Sequence, residues 1–162
     1  MGHWSIWMVT IGLMIELGAL AIGLAAVLTD YYSCVTAPMK AVISSSLFGG
    51  LGGCVYCLRG VYLNACVQKN WDIRWLPWYV IRPIVSLTFG GISYLFVKSG
   101  LLLFGASPQV DSGQLGIWAV AFLAGLNVDK FVTKIESIGQ TVWGLEPSRQ
   151  SKQKVNEQKD EG

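Results

Sequence analysis

A long apolar run near the start of the chain constrains this sequence more than any other feature. In residues 7–28, WMVTIGLMIELGALAIGLAAVL, every side chain except that of Glu16 is apolar, small or a hydroxyl. About 20 residues, each rising about 1.5 Å, cross a bilayer core of about 30 Å. The run therefore predicts a membrane-spanning helix that carries a carboxyl group near its middle.

Three further apolar stretches follow, and the four together predict an all-α, polytopic membrane protein with four transmembrane helices. We expect the spans at residues 4–29, 41–60, 78–100 and 113–130. The stretches lack the period-two alternation of membrane β-barrel strands, which favours helices. Charged residues make up only 14% of the chain, against about 25% in ordinary soluble domains.

The chain after the fourth span divides into two parts. Residues 129–145 carry apolar side chains at helical spacing, which predicts a C-terminal amphipathic helical extension. This extension either continues the fourth span as a stalk or lies on the membrane surface. Residues 146–162 are polar, and we expect a disordered cytoplasmic tail. Residues 1–145 then form one transmembrane domain.

The distribution of Lys and Arg predicts the orientation of the spans. Basic residues concentrate between spans two and three and after span four, and basic loops mark the cytoplasmic side. Four spans with both termini inside satisfy this rule, and they place Cys34 outside and Cys66 inside. Residues 1–3 contain no Lys or Arg, so we interpret the first run as a retained span rather than a cleaved signal.

Glu16 is the leading candidate for a functional residue, because a charge in mid-membrane costs about 2.5–3.5 kcal/mol on insertion scales. By helix rise, Glu16 lies about 18 Å above the inner end of span one and Arg82 about 6 Å above that of span three, a gap that the long arginine side chain narrows but does not close. We therefore expect no close basic partner within the chain. The alternatives are a protonated, hydrogen-bonded carboxyl group and a ring of Glu16 side chains lining a pore.

Span two is rich in small residues, which permit close contacts between helices in lipid. Ser45, Gly49 and Gly53 are candidates to line a pore or polar cavity with Glu16, and the two glycines form a G-x-x-x-G pair. The alternative for this pair is packing within one chain. Further candidate helix-packing positions are Ala19, Gly23, Gly50, Gly52, Gly90 and Gly91.

Arg59 and Arg82 both fall near the predicted inner boundary of the membrane. Long arginine side chains reach the headgroup region from such positions while their stems stay in apolar surroundings. The two arginines are therefore candidates to bind lipid headgroups. The alternative is that one of them forms an ion pair with a buried carboxyl group.

Cys54 and Cys57 form a C-x-x-C pair, the motif in this chain that suggests redox or zinc chemistry. A second pair with matching spacing is lacking and His3 is the only histidine, so we interpret the pair as small-residue packing. The sequence contains no Ser/His/Asp set and no phosphate loop, and its net charge of +2 does not suggest nucleic acid. We expect no enzyme, no cofactor and no metal site.

Residues 49–143 resemble a family of small bacterial multi-helix membrane proteins that is known only as uncharacterised. The pattern begins with a Gly-rich helix that has an Arg near its end (residues 49–60). An aromatic run that leads to an Arg-Pro pair follows, then a Gly-rich span and a final helix (residues 121–138). The most specific element is Trp-Tyr…Arg-Pro, here Trp78, Tyr79, Arg82 and Pro83. The resemblance implies a bacterial inner-membrane location and no particular activity.

Two hypotheses for function follow from the sequence. We favour a homo-oligomer in the lipid bilayer that forms an ion-conducting or membrane-permeabilising channel, with Glu16 and the small-residue face of span two lining or bracing it. The alternative is a structural or accessory subunit of a larger membrane complex. In a channel, Glu16 faces a symmetry axis or a wet cavity, whereas in an accessory subunit it faces a partner helix.

Overall fold

The computed structural model describes residues 2–29, 31, 35–69, 71–100 and 114–144, which are mainly helical and include no β-strand. The helices are α1 (Gly2–Leu28), α2 (Ala37–Tyr62), α3 (Leu76–Lys98), α4 (Gln114–Leu126) and α5 (Val128–Trp143). A π-helical turn, Leu63–Val67, extends α2, and a short 3-10 turn, Ile73–Trp75, precedes α3. The predicted all-α class is confirmed.

Three helices are long and apolar enough to cross a membrane, namely Trp4–Leu28, Ala37–Val67 and Leu76–Lys98. α4 and α5 pass the same test only when they are counted as one interrupted span. These are the three or four spans of a multi-pass membrane protein. The interruption lies at Asn127, a residue type whose side chain competes with the helix for backbone hydrogen bonds.

The bounds of the helices depart from the predicted spans mainly in α2 and α4. α2 begins at Ala37 because Pro38 occupies its first turn, where the fixed φ angle of proline suits a helix start. α4 stops at Leu126, so the fourth span does not run on to residue 130 without a break. The amphipathic extension is present as the separate helix α5. Cys34 and the predicted tail, residues 146–162, lie outside the described residues.

The chain divides into two compact units, Met1–Val128 and Asp129–Gly162. In the first unit α2 is the central helix and touches α1, α3 and α4. Gly23 lies against Leu47, while Leu13 joins Cys57 in a buried apolar cluster. Because the numbers fall along α1 as they rise along α2, these two helices are antiparallel.

α3 is also antiparallel to α2, and the two helices are in close backbone contact. A Cβ atom at Gly49 would lie 2.6 Å from the Cα of Gly90, and one at Gly90 would lie 2.5 Å from the Ser45 backbone oxygen; further along, Gly60 faces the Tyr79 ring at an ordinary contact distance. In lipid, where apolar helices gain little from leaving the solvent, such close approach supplies the van der Waals contact that holds helices together. The glycines therefore set the register of α2 against α3.

α4 runs parallel to α2 and covers only about half of it. The Trp118 indole Nε1 donates a hydrogen bond of 3.0 Å to the Ser44 hydroxyl near one end. Near the other end, Leu126 lies so close to Gly52 that its backbone nitrogen would be 2.8 Å from a Cβ there. The 13 residues of α4 rise about 20 Å, against a bilayer core of about 30 Å. α4 thus ends at the depth of Gly52.

Candidate functional site

Glu16 lies on the stripe of α1 that faces α2. Leu13 and Leu20, on the same stripe, are only 4% and 9% exposed, whereas Met14 and Ile15 are 55% and 67% exposed. Residues three and four apart share one helix face, and Glu16 follows Leu13 by three and precedes Leu20 by four. The half-buried Glu16 side chain therefore points toward α2 of its own chain.

The carboxyl group of Glu16 lies at the level of Cys54 of α2. On the same stripe of α1, Leu13 packs with Cys57, and Leu20 would lie 3.1 Å from a Cβ atom on Gly50; Cys54 and Cys57 are both fully buried. Among the residues that the structure describes, Glu16 has no hydrogen-bond or ion-pair partner. A carboxyl group without such a partner is costly in an apolar seam, which marks this position as a candidate functional site.

Arg82 lies at the same depth on the α3 side of α2. Its guanidinium carbon is 4.8 Å from the centre of the Tyr56 ring and 5.5 Å from that of Trp78. The side chain is only 7% exposed, and it lies between the contacts of Tyr79 with Gly60 and of Pro83 with Gly53, which puts it at the level of Cys57. Glu16, Cys57 and Arg82 thus form one layer across three helices, which we call the charged layer.

Glu16 and Arg82 lie closer together in depth than their distances along their own helices suggest, because the spans do not start at one depth. α1 reaches past the end of α2, where Ser5 accepts a hydrogen bond of 3.3 Å from the Trp71 indole Nε1. α3 starts only at Leu76, opposite the last turns of α2. This stagger brings Glu16 to the level of Arg82.

The three small residues predicted as pore candidates all lie at contacts within the chain. A Cβ atom at Gly49 would be 2.5 Å from the Ser86 backbone oxygen, and one at Gly53 would overlap the Ser86 side chain. Ser45 is fully buried, and its backbone oxygen lies against Gly90. In this part of the chain the G-x-x-x-G pair allows α2 to pack closely against α3.

The predicted helix-packing positions fall into two groups. Ala19 is exposed on α1, and Gly23 contacts only the end of the Leu47 side chain. At each of the other four positions an added Cβ atom would meet residues of a neighbouring helix. They are Gly50 (Leu87, Leu20), Gly52 (Phe122, Leu126), Gly90 (Ser45, Gly49) and Gly91 (Ser46, Val42). Tight packing therefore concentrates in α2, α3 and α4, and α1 is the loosely attached helix.

Two buried small residues, Ser86 on α3 and Ala121 on α4, were not among the positions predicted from the sequence. Ser86 is fully buried, and its hydroxyl donates a hydrogen bond of 3.0 Å to the Gly125 carbonyl. Ala121, four residues before Gly125, is also fully buried. Ala121 and Gly125 form a small-x-x-x-small pair. This spacing is the sequence signal that identifies α4 as a packing helix.

The structure separates the two arginines that the sequence treats alike. Arg82 is buried against Tyr56 and Trp78. Arg59 is exposed and lines an open cavity of about 350 Å³ at the end of α2. Of these two arginines, Arg59 is therefore the one placed to meet a group from outside the chain.

Comparisons of the chain with protein-family models, with curated proteins and with solved structures give no match. The resemblance of residues 49–143 to an uncharacterised bacterial family stays a prediction. In the described ranges no three His, Cys, Asp or Glu side chains come together in a way that could hold a metal ion. Fold and site together define an all-α, multi-pass membrane protein with a charged layer between its helices.

Proposed function

We propose that the protein assembles into an ion-conducting or membrane-permeabilising oligomer in which the charged layer forms the polar part of the path. The observation that carries this proposal is that α4 ends at the depth of Glu16. Leu126 packs against Gly52, two residues before Cys54, and Glu16 lies at the level of Cys54. Interrupted helices and buried charges accompany ion paths because free carbonyl groups and carboxylates replace the water around an ion.

α1 is the helix whose displacement opens such a path. Only 6% of its apolar span is buried, against 44% for α2 and 39% for α3. The contacts among α2, α3 and α4 run through glycine backbones and resist separation. Movement of α1 away from α2 therefore admits water to Glu16 and leaves the three-helix core intact.

Several copies are required for conduction under this proposal. Ser45, Gly49 and Gly53 lie in closed contacts, so the described helices of one copy provide only one wall of a path. Neighbouring copies supply the others, with Glu16 favouring cations as acidic rings do in cation pores. The glycine pair then braces the wall and does not line the path.

The test is to purify the protein in mild detergent, measure its mass by light scattering and record currents in planar bilayers. We expect an oligomer with cation-preferring currents. Glu16→Gln keeps the size of the side chain and should lower the cation-to-anion permeability ratio, whereas Glu16→Asp keeps the charge and should retain the preference. A monomer without currents contradicts the proposal.

A second function, that of an accessory subunit, draws on the outer face of α1. This face is apolar and exposed at Trp4 (79%), Ile15 (67%) and Ile22 (73%), and Glu16 points inward rather than toward a neighbour. A helix of this kind suits contact with another membrane protein through van der Waals packing. A monomeric, non-conducting protein is the result that favours this function.

A further inference from the structure

The open cavity at the end of α2 has a firm inner wall. It lies where the π-helical turn meets the start of α3, and Gly60 leaves space beside the Tyr79 ring. Tyr79 is 1% exposed, its hydroxyl accepts a hydrogen bond of 3.1 Å from Asn64 Nδ2, and its ring stacks on Trp71 at 5.6 Å. The cavity is thus formed before any ligand binds.

The chemistry of the cavity suits an anion. Among the described residues that line it, Arg59 carries the only formal charge, and Asn64 and Gln68 add amide groups. Within the described part of the chain, Arg59 makes no ion pair. A guanidinium group binds phosphate through two parallel hydrogen bonds, and amide N–H groups complete such a site.

The position of the cavity suits a lipid. Trp75 and Trp78 form its outer side and are 50% and 36% exposed, as aromatic residues are at the level of lipid headgroups. The apolar part of α3 starts at Leu76, so the cavity lies where the membrane span begins. The excess of basic residues at this end assigns it to the cytoplasmic leaflet, where anionic lipids are found.

The geometry points to a binding site for the phosphate group of an anionic membrane lipid, with Arg59 as the anion-binding residue. Asn64 and Gln68 lie beside the phosphate, and the rings of Trp75 and Trp78 pack against the glycerol and the upper acyl chains. The site is distinct from the charged layer and does not depend on ion conduction.

The test uses the full-length protein in a neutral detergent, with lipid binding followed by native mass spectrometry. We expect phosphatidylglycerol to bind at least about tenfold more tightly than phosphatidylcholine. Arg59→Gln should weaken phosphatidylglycerol binding by about tenfold, the usual effect of losing a charge-assisted hydrogen bond. Arg74→Gln is the matched control, because Arg74 is 89% exposed and 3.8 Å from Asp72, outside the cavity; it should leave binding unchanged.

A second variant tests the cavity without altering its charge. Gly60→Leu places a side chain in the space beside Tyr79 and should also weaken binding about tenfold, with the melting temperature measured in parallel to verify folding. Soluble glycerol phosphate, added as a competitor, distinguishes a lipid phosphate from a free phosphate ester as the ligand. We expect no competition at millimolar concentration. Competition overturns the lipid as the source. Unchanged affinity in Arg59→Gln and Gly60→Leu overturns the site.

Discussion

Gly49 of α2 and Gly125 of α4 are in direct backbone contact, and the Gly49 carbonyl group occupies the space that a Cβ atom on Gly125 would need. Gly49 also meets Gly90 of α3 on its other side. One residue of α2 is therefore the point at which three helices approach most closely. Since the obstructing atoms belong to backbone, neither neighbour can move aside by changing a rotamer.

We expect Gly125→Ala to destabilise the protein by about 1–3 kcal/mol, the usual cost of overpacking a core. The added methyl group pushes α4 away from α2 and should lower the melting temperature in detergent by several degrees. Gly12→Ala is the matched control, because nothing lies within 4 Å of its Cβ position. It should be neutral or stabilising by up to about 1 kcal/mol, since alanine favours helices. Equal melting temperatures for the two variants contradict the contact.

The hydrogen bond from Ser86 to Gly125 gives a second prediction. Ser86→Ala removes the 3.0 Å bond from the Ser86 hydroxyl to the Gly125 carbonyl and should cost about 0.6 kcal/mol, the average for such bonds between membrane helices. Thr88→Ala is the control, because the exposed Thr88 hydroxyl bonds only within its own helix, to Ile84. We expect a lower melting temperature for Ser86→Ala than for Thr88→Ala; the reverse order is inconsistent with a bond that joins α3 to α4.

Replacement of Arg82 by lysine separates the role of its charge from that of its flat guanidinium group. Arg82→Lys keeps the charge and loses the stacking over Tyr56 and Trp78, so we expect a loss of about 1 kcal/mol. Arg74→Lys, at a side chain that is 89% exposed, should stay within about 0.5 kcal/mol of the original protein. Thermal unfolding of the purified variants compares the two, and identical stabilities argue against the stacking.

The cysteines test both burial and orientation. Cys66 is exposed, while Cys54 and Cys57 are buried, so in a Cys34→Ser variant a maleimide should label Cys66 in the folded protein, and Cys54 and Cys57 only after denaturation. In sealed vesicles, an impermeant maleimide should reach Cys66 from the cytoplasmic side alone, as the basic loops predict. Labelling of Cys66 from the outer side reverses the predicted orientation.

The apolar runs predicted α1 and α3 well, because about 20 apolar residues in lipid leave the backbone no alternative to a helix. The same signal failed at α4. Residues 115–126 are almost all apolar, and the end of this helix at Leu126 depends on Asn127 and on the tight contact with Gly52. Hydropathy averaged over a long window does not resolve a single interrupting residue.

The small residues were predicted as contacts, but their partners were not. Gly49 and Gly53 were compatible both with a pore wall and with packing within one chain. The structure places both against Ser86, because α2 has neighbours of its own chain on that side. A G-x-x-x-G spacing shows that one face of a helix carries small residues. It carries no information about which helix packs on that face.

By itself, the sequence determined that this chain is helical, that its long apolar helices can cross a membrane, and that Glu16 lies within the first of them. Only the tertiary structure decided the depth of Glu16 relative to Arg82. The length of an apolar run limits where a helix can lie along the membrane normal only to within a few turns. Contacts such as that of Ser5 with Trp71 select the offset, and they bring Glu16 on α1 and Arg82 on α3 to within about one helical turn of the same depth beside α2.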